Sequence, residues 1–237
     1  MAGLKSSRVI LTRRDTQLLG ALEVMRVVDR EQVMRLAPFT SIPRANARLL
    51  ALVRAGLLSR IASHEDGVGR KHFYFLPGHV CPRTALPHQL ALNEVCLQVR
   101  SPPPPIIFRT WKRLSSPLSP LSPLIPDGYF VLDTSEGMLA SFVELDLGTE
   151  TGRVWEEKVE RYLALALSGE FSRIFSLPRF RVLVVGPTEK RIQSLRSIVV
   201  GATDKLFWFA TICSIKRDGL FTPIWLRPEG DERLSLI

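Results

Sequence analysis

At 237 residues, with 46% hydrophobic and 8% aromatic side chains, the chain is long enough to bury one large core or two small ones and too apolar to be disordered throughout. Cys81, Cys96 and Cys213 are too few and too scattered for a disulfide scaffold or a four-thiolate zinc site, no run of about 18 apolar residues reads as a membrane span, and Lys5 and Arg8 lead into no secretory signal, so the expected compartment is the cytoplasm. The formal charge of +9 is uneven: residues 1–80 carry 13 basic and 6 acidic side chains, a net +7 that favours a polyanion, whereas residues 81–180 carry 10 and 11.

Thr12 is placed to cap a first helix over 12–26, with Asp15 three positions on for the reciprocal bond and Leu18, Leu19, Leu22 and Met25 facing inward. Asp29 caps a short second helix, which Pro38 ends. Ser41 caps a third, with Pro43 tolerated in its first turn; Ala45, Leu49, Leu52 and Val53 make its inner face and leave Arg44 and Arg48 outside. Gly56 stops it, and residues 57–61 and 70–76 read as strands about a polar tip at 64–69. Three short helices followed by a hairpin make a winged helix-turn-helix, expected over 1–80. In that arrangement the third helix enters a major groove of double-stranded DNA and the hairpin lies beside the phosphates. Arg44, Asn46 and Arg48 would then approach base edges or phosphates, and Arg70 and Lys71 would contact phosphate. The same module can instead dock a protein, its arginines solvating the surface.

Residues 77–87 read as a link to a second domain, expected over 81–237. His79, Cys81, His88 and Cys96 lack the spacing of a compact zinc knuckle. A helix over 88–99 and a strand over 106–111 lead to a loop, 112–124, whose Ser-Pro-Leu repeat favours extended chain. Lys112 and Arg113 at its start either track a phosphate backbone or simply solvate the loop. Strands at 126–133 and 138–147, a helix from Thr151 or Gly152 to Ser168, a strand at 180–186, a helix capped by Thr188, a strand at 206–212 and an edge strand at 223–226 complete the chain. The fold class is α/β (mixed), a mixed sheet flanked by helices. Trp155, Val159, Tyr162, Leu163 and Ala166 form the packing stripe of the helix after the hairpin, and Arg191 is expected in the exposed first turn of the helix capped by Thr188.

The stretch 125–162 carries the chemistry. Joined by Thr134, Ser135, Glu136 and Gly137, its two strands pair at a constant sum, Asp133 with Met138 and Asp127 with Glu144. The period of two brings Asp146 onto the same face, so three carboxylates are expected to converge. Opposed acids repel unless a cation sits among them; a hard Mg2+ or Mn2+ ion is one candidate, and a salt bridge to a nearby Arg the other. Lys158 shares a side with Tyr162 four residues on, so it could reach the carboxylates or stay a solvated flank. Glu150 stands just before this helix. No Gly-rich phosphate loop followed by Lys-Ser or Lys-Thr is present, so no nucleotide cofactor is expected.

Residues 88–212 resemble the restriction-endonuclease-like, or PD-(D/E)XK, fold, Pro126-Asp127 looking like its first motif and Glu144-Leu145-Asp146 like its acid-x-Lys with Asp where the motif has Lys. Lys158 on the following helix is the substitute this resemblance offers. The phrase Glu144-Leu145-Asp146-Leu147-Gly148-Thr149-Glu150, with Trp155, Lys158 and Tyr162 behind a winged helix, is similar to the replication-relaxation family over roughly 11–212. That resemblance implies a bacterial, nucleoid-associated protein of a plasmid or mobile element. Its activity would be that of a Mg2+- or Mn2+-dependent DNA endonuclease or nickase in replication or DNA processing. Asp127, Glu144 and Asp146 would bind the metal, Lys158 would orient the attacking water or stabilise charge, and Glu150 would hold an outer-shell water. The alternative is a non-catalytic winged-helix replication or regulatory factor with a degenerate nuclease fold. Winged helices often work in pairs, so a homodimer is expected as one form, although no heptad repeat specifies it.

Overall fold

The computed structural model describes residues 9–64, 70–79, 82–118 and 123–237. The chain forms two units, 1–93 and 94–237.

In the first, α1 (Arg13–Met25), α2 (Arg30–Leu36) and α3 (Ile42–Arg54) combine with β1 (Val27–Asp29), β2 (Ser59–His64) and β3 (Arg70–Phe75). Each helix begins where a side-chain oxygen replaces a missing backbone partner: Thr12 accepts from the Asp15 N–H, Asp29 from Gln32 and Ser41 from Arg44. Asp15 returns the bond to the Thr12 N–H at 2.6 Å, closing the expected capping box. Leu18, Leu22, Val33, Leu49 and Leu52 are fully buried, as their helical spacing requires. The sheet order is β1-β3-β2, antiparallel throughout, with Val27 opposite Phe75 and Ser59 opposite that same residue on the other side. The third strand was not anticipated, because three residues are too short for an alternation to register. The hairpin tip at 65–69 and the side chain of Arg70 lie outside the described residues. A short 3-10 turn, Arg83–Ala85, leads into α4 (Leu86–Val99), within which the division between units falls.

The second unit is a five-stranded mixed sheet in the order β4-β5-β6-β7-β8: β4 (Ile107–Lys112), β5 (Gly128–Thr134), β6 (Gly137–Leu145), β7 (Arg181–Gly186) and β8 (Phe207–Thr211). The first three strands are antiparallel and the last two run parallel to β6. Parallel neighbours need crossovers, supplied here by α5 (Gly152–Leu167) with α6 (Glu170–Phe175), and by α7 (Glu189–Val199); α8 (Ile212–Asp218) follows β8. Trp155, Val159 and Tyr162 of α5 and Ile192, Leu195 and Val199 of α7 bury against Phe142, Val182 and Val184 in one core. Leu165 completes the α5 stripe where Ala166 was expected; Ala166 is exposed. Around the loop after β4, Leu114 and Leu118 pack on this core and the Leu118 N–H donates to Leu124 O at 3.1 Å, so the chain folds back where an extended course was expected; Ser119–Ser122 are outside the described residues.

β5 and β6 pair in the register read from the sequence, Asp133 opposite Met138 and Gly128 opposite Val143. The expected four-residue connection tightens to Ser135 and Glu136, since Thr134 and Gly137 are themselves the last ladder pair. Thr134 Oγ1 braces the turn, accepting from the Glu136 N–H and donating to Gly137 O, and Gly137 takes a φ of 102° that side chains disfavour.

Candidate active site of the second unit

The register carries Asp127, just before β5, and Glu144, near the end of β6, to the same end of the hairpin. Glu144 is 2% exposed and both its oxygens are engaged. Tyr162 donates to Oε1 at 2.6 Å and the Lys158 ammonium to Oε2 at 2.8 Å, both from α5 and one helical turn apart. Lys158 also reaches both oxygens of Glu150 at 2.8 Å and lies 5.0 Å from the centre of the Trp155 ring. Asp127 accepts the Leu145 N–H at 2.8 Å, which holds its carboxylate against the strand beside Glu144.

The electrostatics follow from that crowding. Burial pushes the Glu144 carboxyl up to about 7; Lys158 pulls the other way, and the charge of Asp127 adds to the rise. Lys158 is held above its ordinary value: burial lowers it, but Glu144 and Glu150 outweigh that. Burial and the Glu144 charge raise the Tyr162 phenol, which keeps it a donor. Glu144 is therefore a buried acid whose charge Lys158 balances.

Asp146, one residue past the end of β6, does not join this group. Only 1% exposed, it accepts from the Gly148 N–H, the Trp155 indole N–H and the Arg191 guanidinium, each at 2.5 Å. Arg191 also donates to Glu150 O at 2.6 Å, pinning the loop between β6 and α5. The ion pair with Arg191 is the kind of salt bridge that the sequence offered as the alternative to a metal. Among the described residues, no three His, Cys, Asp or Glu side chains are placed to hold one metal ion, which corrects the expected convergence of three carboxylates. Arg191, expected on the exposed first turn of α7, is drawn inward instead by the buried carboxylate. Tyr162 was read as packing alone; its place one turn from Lys158 was the available signal for a second role.

In the first unit, Arg44 is exposed and donates to Thr40 Oγ1 at 2.9 Å. Arg48 instead forks onto Asp15, at 3.0 Å from Nε and 2.5 Å from a terminal nitrogen, and onto Ile10 O at 2.7 Å. It thus fastens α3 to α1 more than it faces outward. Arg14, which the sequence did not single out, stacks 5.2 Å from the Phe39 ring and with Arg44 borders an open hollow of about 550 Å³ floored by Ala47 and Ala51. Asn46 lies on the other flank of α3, in a small hollow with Lys71 and His72; Lys71 stands 3.5 Å from Asp29. Lys112 is exposed at the end of β4 and Arg113 beyond it is half-buried.

A model of the replication-relaxation family matches residues 78–176, the segment that contains Asp127, Glu144, Asp146, Lys158 and Tyr162. A solved structure of the restriction endonuclease FokI bound to DNA is similar at 12% identity and a TM-score of 0.36; the alignment covers 90% of this chain, which spans only 46% of the FokI chain. No functionally curated protein matches. No helix among the described residues is long and apolar enough to cross a membrane.

Proposed function

We propose, from a segment that matches the replication-relaxation family, that this chain is a DNA-binding protein whose second unit hydrolyses phosphodiester bonds with a divalent cation. The observation that carries the reading is the pairing of Asp127 with Glu144 at one end of the hairpin, with the Lys158 ammonium against the latter. Two neighbouring carboxylates suit Mg2+ or Mn2+, hard ions that prefer oxygen, and Asp127 and Glu144 would hold it; Asp146, saturated by Trp155 and Arg191, does not fit that role. A bound ion would polarise a phosphate and lower the pKa of a water. Tyr162 fixes the rotamer of Glu144, and Lys158, on release from both Glu144 and Glu150, would leave Oε2 of Glu144 to the ion and present a cation to the charge that grows on phosphate oxygen. Glu150, freed in turn, would hold a water at the rim.

The net +7 of residues 1–80 and the hollow bordered by Arg14 and Arg44 support a first unit that retains the duplex as a winged helix, with α3 toward the major groove. A second reading, a non-catalytic DNA-binding factor, draws on a different fact: Lys158 already neutralises Glu144 and Glu150 without an ion. One experiment separates them. Supercoiled plasmid DNA is incubated with the protein and Mn2+, and duplex affinity is titrated in parallel. The hydrolytic reading expects nicked or linear product, reduced at least ~100-fold by Glu144→Gln with duplex affinity intact. Tight, salt-dependent binding that Arg44→Ala weakens, with no product at any Mn2+ concentration, leaves the second reading.

A further inference from the structure

At the amino ends of β6, β7 and β8, a cleft of about 540 Å³ opens between the start of the hairpin strand and the last turn of α5. It lies roughly 20 Å along β6 from Glu144, at about 3.3 Å per residue, so it is separate from the candidate active site. Its size is that of a ligand pocket. Its floor is apolar, with Ala140, Leu163, Phe180 and Leu206. Two large apolar side chains stand at its rim in water, Leu167 at 86% exposure and Met138 at 41%.

Four cations also line it: Arg179, Arg181, Lys205 and Arg227. Arg181 and Arg227 pack on the Trp208 ring at 4.4 and 4.6 Å, and their head groups reach only backbone carbonyls, of Leu236 and Asp204. Among the described residues, none of the four comes within ion-pair distance of a carboxylate, and Glu136 is the only acidic side chain lining the cleft. The Arg227 Nε–H is buried without an acceptor. Burial, then Arg227 and Arg179, depress the affinity of Arg181 for its proton, with Glu136 acting the other way, yet a guanidinium cannot shed that proton near neutrality, so the repulsion among the arginines persists. Four cations thus share this cleft with one acidic side chain, Glu136.

We propose that the cleft binds a segment of a partner protein that alternates carboxylate and leucine-like side chains, the apolar groups seated on the Leu163 and Phe180 floor and the carboxylates on Arg179, Arg181, Lys205 and Arg227. A long-chain carboxylate brings one charge to four cations. A nucleotide base needs an open aromatic face to stack on, and arginines cover that of Trp208. An acidic, apolar peptide meets both halves of the lining, by the pairing of buried apolar anchor and charged rim common to protein interfaces.

The test titrates the full chain against a fluorescent peptide alternating Asp and Leu, the same peptide with Ser for Leu, and dodecanoate. The Asp-Leu peptide is expected to bind saturably, and Arg179→Glu with Lys205→Glu, two exposed positions that leave the core intact, to weaken it at least ~10-fold. The Ser peptide should lose a similar factor. Equal binding to the doubly reversed variant, equal binding of the Ser peptide, tighter binding of dodecanoate than of the peptide, or no binding at all would each overturn the assignment. Glu144→Gln plays no part in this readout, so the inference stands or falls apart from the hydrolytic reading.

Discussion

At the carboxyl end of β6, Glu144 and Asp146 are buried acids, and each meets a cation delivered by a helix, Lys158 from α5 or Arg191 from α7. At the amino ends of β6, β7 and β8, Arg181 and Arg227 are half-buried cations stacked on Trp208, with no carboxylate among the described residues within ion-pair distance. The sheet is the same; the completeness is not. Where the fold supplies both signs, charge acts as a fastener, and a ligand must compete with it. Where it supplies one, the cost of burial is left standing, and an external anion can relieve it. Glu144 lies between these limits, since its partner Lys158 is shared with Glu150 and still partly exposed to solvent.

The largest expected effect tests the fastener. Asp146→Ala leaves the Arg191 guanidinium and the Trp155 indole N–H without their acceptor, and should destabilise the second unit by about 3–5 kcal/mol, read as a lower urea midpoint. A loss under about 1 kcal/mol would mean that Asp146 is not the strut inferred here.

The same contrast extends to the first unit through Arg48 and Asp15. Burial raises the Asp15 carboxyl, but hydrogen bonds from Arg48 and Thr12 outweigh it and hold it at about 2, below the ordinary 3.8. A depressed folded-state pKa contributes stability that is present above the unfolded value and is lost as pH falls through the folded one. Arg48→Leu should therefore cost about 2 kcal/mol at neutral pH, the scale of hydrogen bonds to a charged group. That difference from the parent should shrink between pH 3.8 and about 2. A pH-independent difference would assign the effect to lost packing instead.

The smallest effect comes from the cationic end. Arg179→Ser removes one of the repelling charges at an exposed position, so stability should change by no more than about 0.5 kcal/mol, in the stabilising direction at low salt. Marked destabilisation would show that the cluster is a structural fastener after all and would erase the contrast between the two ends.

Much of the frame was legible without coordinates. The caps at Thr12, Asp29, Ser41 and Thr188 each bind the backbone N–H three residues on, and such bonds depend on neighbours in sequence alone. The short pieces were not: β1 and α6 hold too few residues to show a period, and they form because β3 and the Phe142 cluster give them something to cover. Within the site, the opposition of Asp127 and Glu144 was readable, whereas the separate fate of Asp146 was not, because its cation stands 45 residues away on α7.

By itself, then, the sequence determined the register of β5 on β6 and the face that Glu144, Lys158 and Tyr162 share, because strand alternation and helical periodicity are local rules that composition cannot shift without breaking the core. Only the tertiary structure decided which charges meet. Arg191 on Asp146, Arg48 on Asp15, and four cations gathered from separate segments about one apolar cleft are products of packing, which joins residues by distance in space and leaves no periodic trace along the chain.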